Sequence, residues 1–206
     1  MIVILDYNLS NLNCVLSAVN YLGFKAKISN KKSDIINAKK LILPGVGAFP
    51  DAMSHLKELD LINVLNDNVL LKKTPILGIC LGAQLICKSS EEFNLVEGLK
   101  WVDANVIKLK SNDIDLRIPH TGWNDIELVK KNSILLNDIS KEEMLFYFNH
   151  SYLIKSNNTT DVSAYCNYGQ KFTAIIEKDN IFATQFHPEK SQLTGLMVLK
   201  NFLSHV

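Results

Sequence analysis

An α/β fold, a mostly parallel sheet wrapped by helices, is what this 206-residue sequence predicts. Two observations carry it. Through residues 1–90, short apolar runs of strand length alternate with stretches whose apolar positions keep helical spacing, the βαβα rhythm of a parallel sheet. From residue 99 onward the rhythm changes to short alternating segments divided by polar turns, which predicts mixed and antiparallel strands.

Residues 2–6 form the continuous apolar run expected of a strand covered on both faces. The next helix follows from the spacing of Leu12, Val15, Leu16, Val19 and Leu22, and Gly23 stops it. Residues 24–28 read as the second strand, 33–38 as a helix capped by Ser33, and 41–43 as the third strand. Residues 50–71 read as helical with breaks, 75–79 as the fourth strand and 83–90 as the helix that follows it. Further strands are expected at 99–109, 123–128, 145–148, 151–155, 173–177 and 181–185, and 157–161 is the most loop-like run. The closing helix, 193–203, spreads its apolar residues widely enough to pack on a sheet. With 47% hydrophobic residues and no repeat or linker, residues 1–206 are expected to form one compact domain.

A formal net charge of +1 with interspersed charges supplies no electrostatic reason to bind nucleic acid or an anionic membrane. The first six residues are too short and too quickly acidic for a signal peptide, and no apolar run approaches transmembrane length, so a cytoplasmic location is expected. Cys14, Cys80, Cys87 and Cys166 show neither C-x-x-C spacing nor clustering with histidine, which argues against zinc and against a disulfide framework. They should be reduced; Cys14, Cys87 and Cys166 read as small buried apolar residues. Neither a metal nor a cofactor is expected.

Cys80 is the exception. In Gly78-Ile79-Cys80-Leu81-Gly82 it stands on a sharp turn between an apolar strand and a helix opening at Gly82. Glycines two residues to either side remove the Cβ atoms that would clash in a strained strand-to-helix elbow. At the helix start, unpaired N–H groups and the positive dipole end favour thiolate, and the N–H of Leu81 can face a developing oxyanion. About a hundred residues on, His187 leaves a predicted strand end; Pro188 ends that strand and Glu189 can return to orient the ring. The order is a nucleophile, a base and a carboxylate.

The chain resembles the class I, triad-type glutamine amidotransferases, and among them the glutaminase subunits of imidazole glycerol phosphate synthases. The motifs are Leu43-Pro44-Gly45-Val46-Gly47-Ala48-Phe49, Leu77-Gly78-Ile79-Cys80-Leu81-Gly82-Ala83-Gln84, Ile118-Pro119-His120-Thr121-Gly122-Trp123-Asn124, Tyr147-Phe148-Asn149-His150-Ser151-Tyr152 and Gln185-Phe186-His187-Pro188-Glu189-Lys190-Ser191. The resemblance spans the whole chain and implies a three-layer sandwich with a central, mostly parallel mixed sheet. It also implies that Cys80 attacks the glutamine amide, that a γ-glutamyl thioester forms, and that His187 shuttles the proton. Leu81 would donate to the oxyanion, with Val46 or Gly47 as the second donor; a peptide flip in this glycine-containing loop would create or remove that donor and gate activity.

Gln84, Glu92, His150, Ser151 and Tyr152 match family positions around glutamine, Glu92 being suited to its α-ammonium. The implied partner is a (β/α)8 barrel synthase subunit that receives ammonia through a channel, and Asn11, Trp123, Tyr147 and Lys190 fall on the face turned toward it. Arg117 is the only arginine, in keeping with a phosphorylated substrate held by the partner.

The sequence departs from the family at Asp6-Tyr7-Asn8-Leu9-Ser10-Asn11, where Asp-Tyr-Gly-x-Gly-Asn is usual, so this loop is expected to follow a different path. Ala83, Thr121 and Asn149 replace Met, Met and Val. These changes sustain an alternative, a paralogue that feeds ammonia through a similar barrel to an N-acetyl sugar amidotransferase of surface polysaccharide synthesis.

Overall fold

Strand β1 (Ile2–Leu5) is buried along its whole length because its side chains alternate between two cores. Ile2 and Ile4 join one cluster with Ile42, Leu77, Ile79 and Phe182, while Val3 and Leu5 join the other with Leu41, Leu43 and Ile76. Each fully buried aliphatic side chain contributes about 2 kcal/mol, so a strand apolar at every position is stable only between two covering layers. The computed structural model describes residues 1–9, 11–111 and 116–206.

The first layer holds α1 (Leu12–Tyr21) and α6 (Gln192–His205), which deliver Val15, Val19, Val198, Leu199 and Phe202 to the first cluster. The opposite layer holds α2 (Lys32–Ile36), α3 (Phe49–Glu58), α4 (Ile62–Asn66) and α5 (Leu81–Leu85), which deliver Ile35, Phe49, Leu56, Leu65 and Leu81 to the second.

Between them lies a mixed sheet. Its parallel part comprises β1, β2 (Ala26–Ser29), β3 (Lys40–Gly45), β4 (Ile76–Cys80) and β13 (Ile181–Thr184); its antiparallel part comprises β8 (His120–Leu128), β9 (Leu145–His150), β11 (Val162–Tyr168) and β12 (Gln170–Lys178). The order is β2-β1-β3-β4-β13-β12-β11-β8-β9. A smaller sheet, β10-β7-β5-β6, is made by β5 (Ser89–Ser90), β6 (Val96–Glu97), β7 (Ala104–Lys108) and β10 (Tyr152–Ser156). The three-layer α/β arrangement matches the expectation.

Several elements differ from it. The helix expected over 83–90 is only α5, because Lys88 N–H already donates to Ala104 O and the chain enters β5 beside β7. Ser33 lies inside α2 rather than capping it; Lys31 is the extended cap residue. Residues 50–71 divide into α3, α4 and a π-helical turn, Asp67–Leu71, the first break falling at Asp60, which adopts φ 51°. In 99–109 only β7 is strand; Leu99, Trp101 and Val102 are buried in irregular backbone, and Trp101 Nε1 donates to Asn66 Oδ1 at 2.7 Å. Strand β11 is not among the expected elements, although Val162, Ala164, Cys166 and Tyr168 keep a two-residue apolar spacing with Ser163 and Asn167 on the alternate positions.

The register positions the site. Gly45 pairs with Cys80 and Thr184 pairs with Ile79, so β3, β4 and β13 end side by side. Three loops at one carboxyl edge bring together the two motifs that lie a hundred residues apart, the usual place for a ligand in an open α/β sheet.

Candidate active site

Cys80 closes β4 with φ 53° and ψ −106°, a conformation that a residue carrying a Cβ adopts only under strain. The surroundings hold it there. A Cβ on Gly82 would lie 1.7 Å from Leu43 O, and one on Gly78 would lie 2.9 Å from Ala83 Cα, so the two glycines let α5 fold back against β3 and β4. The elbow read from the sequence is present.

A cavity of about 240 Å³ opens over the cysteine. Val46, Gly47, Cys80, Leu81, Gln84, Glu92, His150, Ser151, Tyr152 and His187 all line it. Of the residues read as catalytic, oxyanion or substrate-binding, only Glu189 does not, because it stands behind His187 and reaches its Nδ1 at 2.8 Å. Both side chains are 3% exposed. Burial alone lowers the pKa of His187, but interaction with Cys80 and with Glu189 overrides it and raises it to about 10. The ring therefore holds its proton at neutral pH.

The remaining polar groups each have a definite orientation. Phe49 N–H, at the start of α3, donates to Glu92 Oε2 at 2.8 Å, and burial pushes the Glu92 carboxyl up, with that hydrogen bond opposing and Asp51 adding. Gln84 Nε2 donates to Tyr152 O at 2.9 Å and to Gln185 Oε1 at 3.2 Å, which leaves the amide oxygen of Gln84 as the group it can present to a ligand. His150 lines the cavity with both ring nitrogens committed: Nδ1 to Tyr152 O at 2.8 Å and Nε2 to His120 Nδ1 at 3.2 Å.

The loop after β3 carries the candidate oxyanion donors. Val46 N–H is engaged with Leu9 O at 2.9 Å, and Gly47 has φ 108°. Leu81 N–H belongs to the first turn of α5, where helical N–H groups have no partner within the helix. The loop from Asp6 runs through Asn8 with φ 68°, a left-handed position that asparagine tolerates; Ser10 lies outside the described residues.

On the rim, Trp123 meets Tyr147 edge-on at 6.1 Å, Lys190 Nζ lies 5.9 Å from the Tyr147 ring centre, and Tyr147 tilts toward His187 at 6.4 Å. Trp123 is 43% exposed. Asn11, exposed at the start of α1, caps it without a side-chain bond. Two functional groups escaped the sequence reading. Gln185 is fully buried with Nε2 4.0 Å from Cys80 Sγ, and Tyr7, whose hydroxyl donates to Pro44 O at 2.6 Å, braces the loop after β3. Both lie inside quoted motifs, which was the available signal.

A buried imidazole–carboxylate pair beside a strained cysteine, over a cavity with amide and carboxylate walls, is equipped for covalent attack on an amide. Among the described residues no helix is long and apolar enough to cross a membrane. The sequence is 42% identical to imidazole glycerol phosphate synthase subunit HisH 2 of Pseudomonas aeruginosa over 206 residues, covering 100% of both chains. It is 46% identical to subunit HisH 1 of Campylobacter jejuni over 202 residues, 98% of each chain. A crystal structure of a glutamine amidotransferase superposes with TM-score 0.75 at 19% identity, covering 98% of this chain and 96% of that one. PurLQS from Thermotoga maritima does so with 0.73 at 17%, with the same coverage. Since the model of the class I glutamine amidotransferase family also matches residues 3–206, the chain belongs to that family.

Proposed function

We propose that this chain is the glutaminase subunit of an imidazole glycerol phosphate synthase, releasing ammonia from glutamine for a (β/α)8 barrel partner in histidine biosynthesis. The observation that carries the reading is the cluster of Cys80, His187 and Glu189 at one sheet edge in a chain 42–46% identical to such subunits over nearly its full length. Residues 1–206 act as one glutaminase domain in the cytoplasm.

In the reaction, Cys80 Sγ attacks the side-chain amide carbon of glutamine and the carbonyl oxygen becomes an oxyanion facing Leu81 N–H. His187, charged at neutral pH, passes its proton to the amide nitrogen, the C–N bond breaks, and ammonia leaves a γ-glutamyl thioester. Water then adds to the thioester, giving its proton to His187, and glutamate departs as the sulfur is restored. Glu189 keeps His187 Nδ1–H pointing backward so that the other nitrogen serves the substrate. Glu92 offers its second oxygen to the α-ammonium, and Gln84 offers its amide oxygen to a substrate N–H.

Ammonia that escapes into water is protonated and ceases to be a nucleophile, so the cavity must be covered by the protein that uses it. The rim of Trp123, Tyr147 and Lys190, together with Asn11 at the cap of α1, is the proposed docking face for the barrel. A second reading, delivery to an N-acetyl sugar amidotransferase, is favoured by one feature of the rim: Thr121 Oγ1 donates to Asn149 Oδ1 at 3.0 Å, a polar pair where the family is apolar.

Amide-¹⁵N glutamine supplied with each barrel and acceptor distinguishes the two. Label in imidazole glycerol phosphate is the expected result; label in an amidino sugar alone would establish the second reading. Unchanged glutamate release by Cys80→Ala would overturn both.

A further inference from the structure

We infer that Gln185 is a positioning residue for the attacking sulfur, its amide held in one orientation by Gln84, which the Tyr152 carbonyl orients in turn. This rests on the reading of Cys80 as the nucleophile.

The hydrogen bonds that lead to the Tyr152 carbonyl can be followed donor by donor. Asn124 Nδ2 lies 3.4 Å from His120 Nε2, His120 Nδ1 lies 3.2 Å from His150 Nε2, and His150 Nδ1 lies 2.8 Å from Tyr152 O. The Tyr152 carbonyl can only accept, so His150 carries its proton on Nδ1 and leaves Nε2 to accept from His120. His120 in turn accepts on Nε2 from the Asn124 amide. Burial lowers the pKa of His120 to about 4 and that of His150 to about 3, so each ring holds one proton at neutral pH and this arrangement is the one available.

Tyr152 O also accepts from Gln84 Nε2 at 2.9 Å, and the same nitrogen donates to Gln185 Oε1 at 3.2 Å. With its oxygen claimed by a donor, the Gln185 amide cannot turn over, and its Nε2–H faces Cys80 Sγ at 4.0 Å. Gln185 is fully buried, and its backbone N–H is fixed to Ala174 O at 2.9 Å. The sulfur also faces Asn149 O at 3.9 Å, which can receive a thiol proton but repels an ionised sulfur. Gln185 is thus the buried neutral side chain that favours the attacking form and fixes its direction. Among the described residues the ionisable groups around that sulfur are His187 after β13 with Glu189 behind it, His150, Glu92 and Tyr152 in the cavity wall, and Tyr7; α5 contributes none.

Cys14, expected to be buried, is exposed on α1, whereas Cys87 and Cys166 are buried, so the test removes it as Cys14→Ser and follows iodoacetamide alkylation of Cys80. Gln185→Met, which keeps the volume and loses the donor, is expected to slow alkylation about fivefold at pH 7. Glutaminase kcat falls about tenfold with KM within twofold. Gln185→Glu, the isostere with an acceptor in place of the donor, slows alkylation further. In the unsubstituted protein, where folding is not at issue, the side-chain amide proton resonance of Gln185 is expected to move when Cys80 is alkylated. Unchanged alkylation in both variants, or an amide resonance that ignores alkylation, overturns the inference. Slowed alkylation together with a Cys80→Ala variant that still hydrolyses glutamine would instead overturn the assignment of the nucleophile.

Discussion

Val46 donates its backbone N–H to Leu9 O at 2.9 Å, so one of the two candidates for second oxyanion donor, Val46 or Gly47, is tied to the loop that replaces the family's glycines. The bond links the proposed partner face to the chemistry: whatever moves Leu9 releases or retains a donor next to Cys80. Gly45 cannot take part through a side chain, because a Cβ there would lie 2.1 Å from Tyr7 Oη.

Val46→Gly tests this latch. Turning over the Gly45–Val46 peptide carries the φ of Val46 from its present negative range toward positive values. A residue with a Cβ resists that by roughly 1–2 kcal/mol, and glycine does not. Glutamate release by the isolated chain is therefore expected to rise by up to about tenfold, the ratio that about 1.4 kcal/mol supplies. A partner-free rate at or below that of the original chain would mean that this peptide is not the gate.

Much of this architecture was legible in the chain. Alternation of two apolar sets in β1, the elbow glycines and the paired motifs depend on local spacing, which is why the parallel sheet and the Cys80–His187–Glu189 cluster were foreseen. What was missed depends on partners distant in sequence. Strand β11, short on large apolar side chains, is held by β8 and β12, and α5 stops early because Lys88 finds a partner in β7. In the chain Gln185 stands out only as part of a motif, since the group that orients it, Gln84, lies a hundred and one residues away. The state of the loop after β3 was equally hidden, because glycines announce that a peptide can turn and not which way it faces.

Glu189→Gln should separate orientation from folding. The amide keeps the shape but loses the charge that helps to raise His187, so glutamine hydrolysis is expected to fall roughly 10²–10⁴-fold. Stability gives an independent check. Because the folded His187 pKa of about 10 lies above the ordinary value near 6.5, its contribution is complete below about pH 6.5 and fades as pH rises through 10. The melting temperature of the original chain is expected to decline from pH 7 to pH 10, and the decline should be shallower in Glu189→Gln. Parallel curves would show that Glu189 does not hold the charge of His187.

Gly82→Ala addresses the elbow itself. The added methyl would meet Leu43 O at 1.7 Å, backbone against backbone, so β3 and α5 must separate. A loss of about 3 kcal/mol or more is expected, seen as a lower urea midpoint with an unchanged m-value. Gly23→Ala is the control for chain stiffness in general: its φ of 82° is strained for alanine, yet nothing lies within 4 Å of the new methyl. Its loss should be the smaller of the two.

His120→Phe probes the neutral histidine pair through acid stability. The rings of His120 and His150 lose protons on folding, since burial holds their pKa values at about 4 and about 3. The unfolded chain therefore binds protons first as the pH falls below about 6.5, and stability declines toward pH 4. Phenylalanine preserves the stacking on Tyr168 at 3.9 Å and on Phe148 at 4.8 Å while removing one titrating ring. It also leaves His150 Nε2 without its donor, so the melting temperature at pH 7 should fall. Between pH 6.5 and 4.5, above the range where Asp34, Asp103, Glu127 and Glu143 lose their charge, the further decline should be shallower than in the original chain. Equal slopes in that window would mean that His120 is not held neutral by the fold, and the donor order running from Asn124 through His120 to His150 would lose its basis.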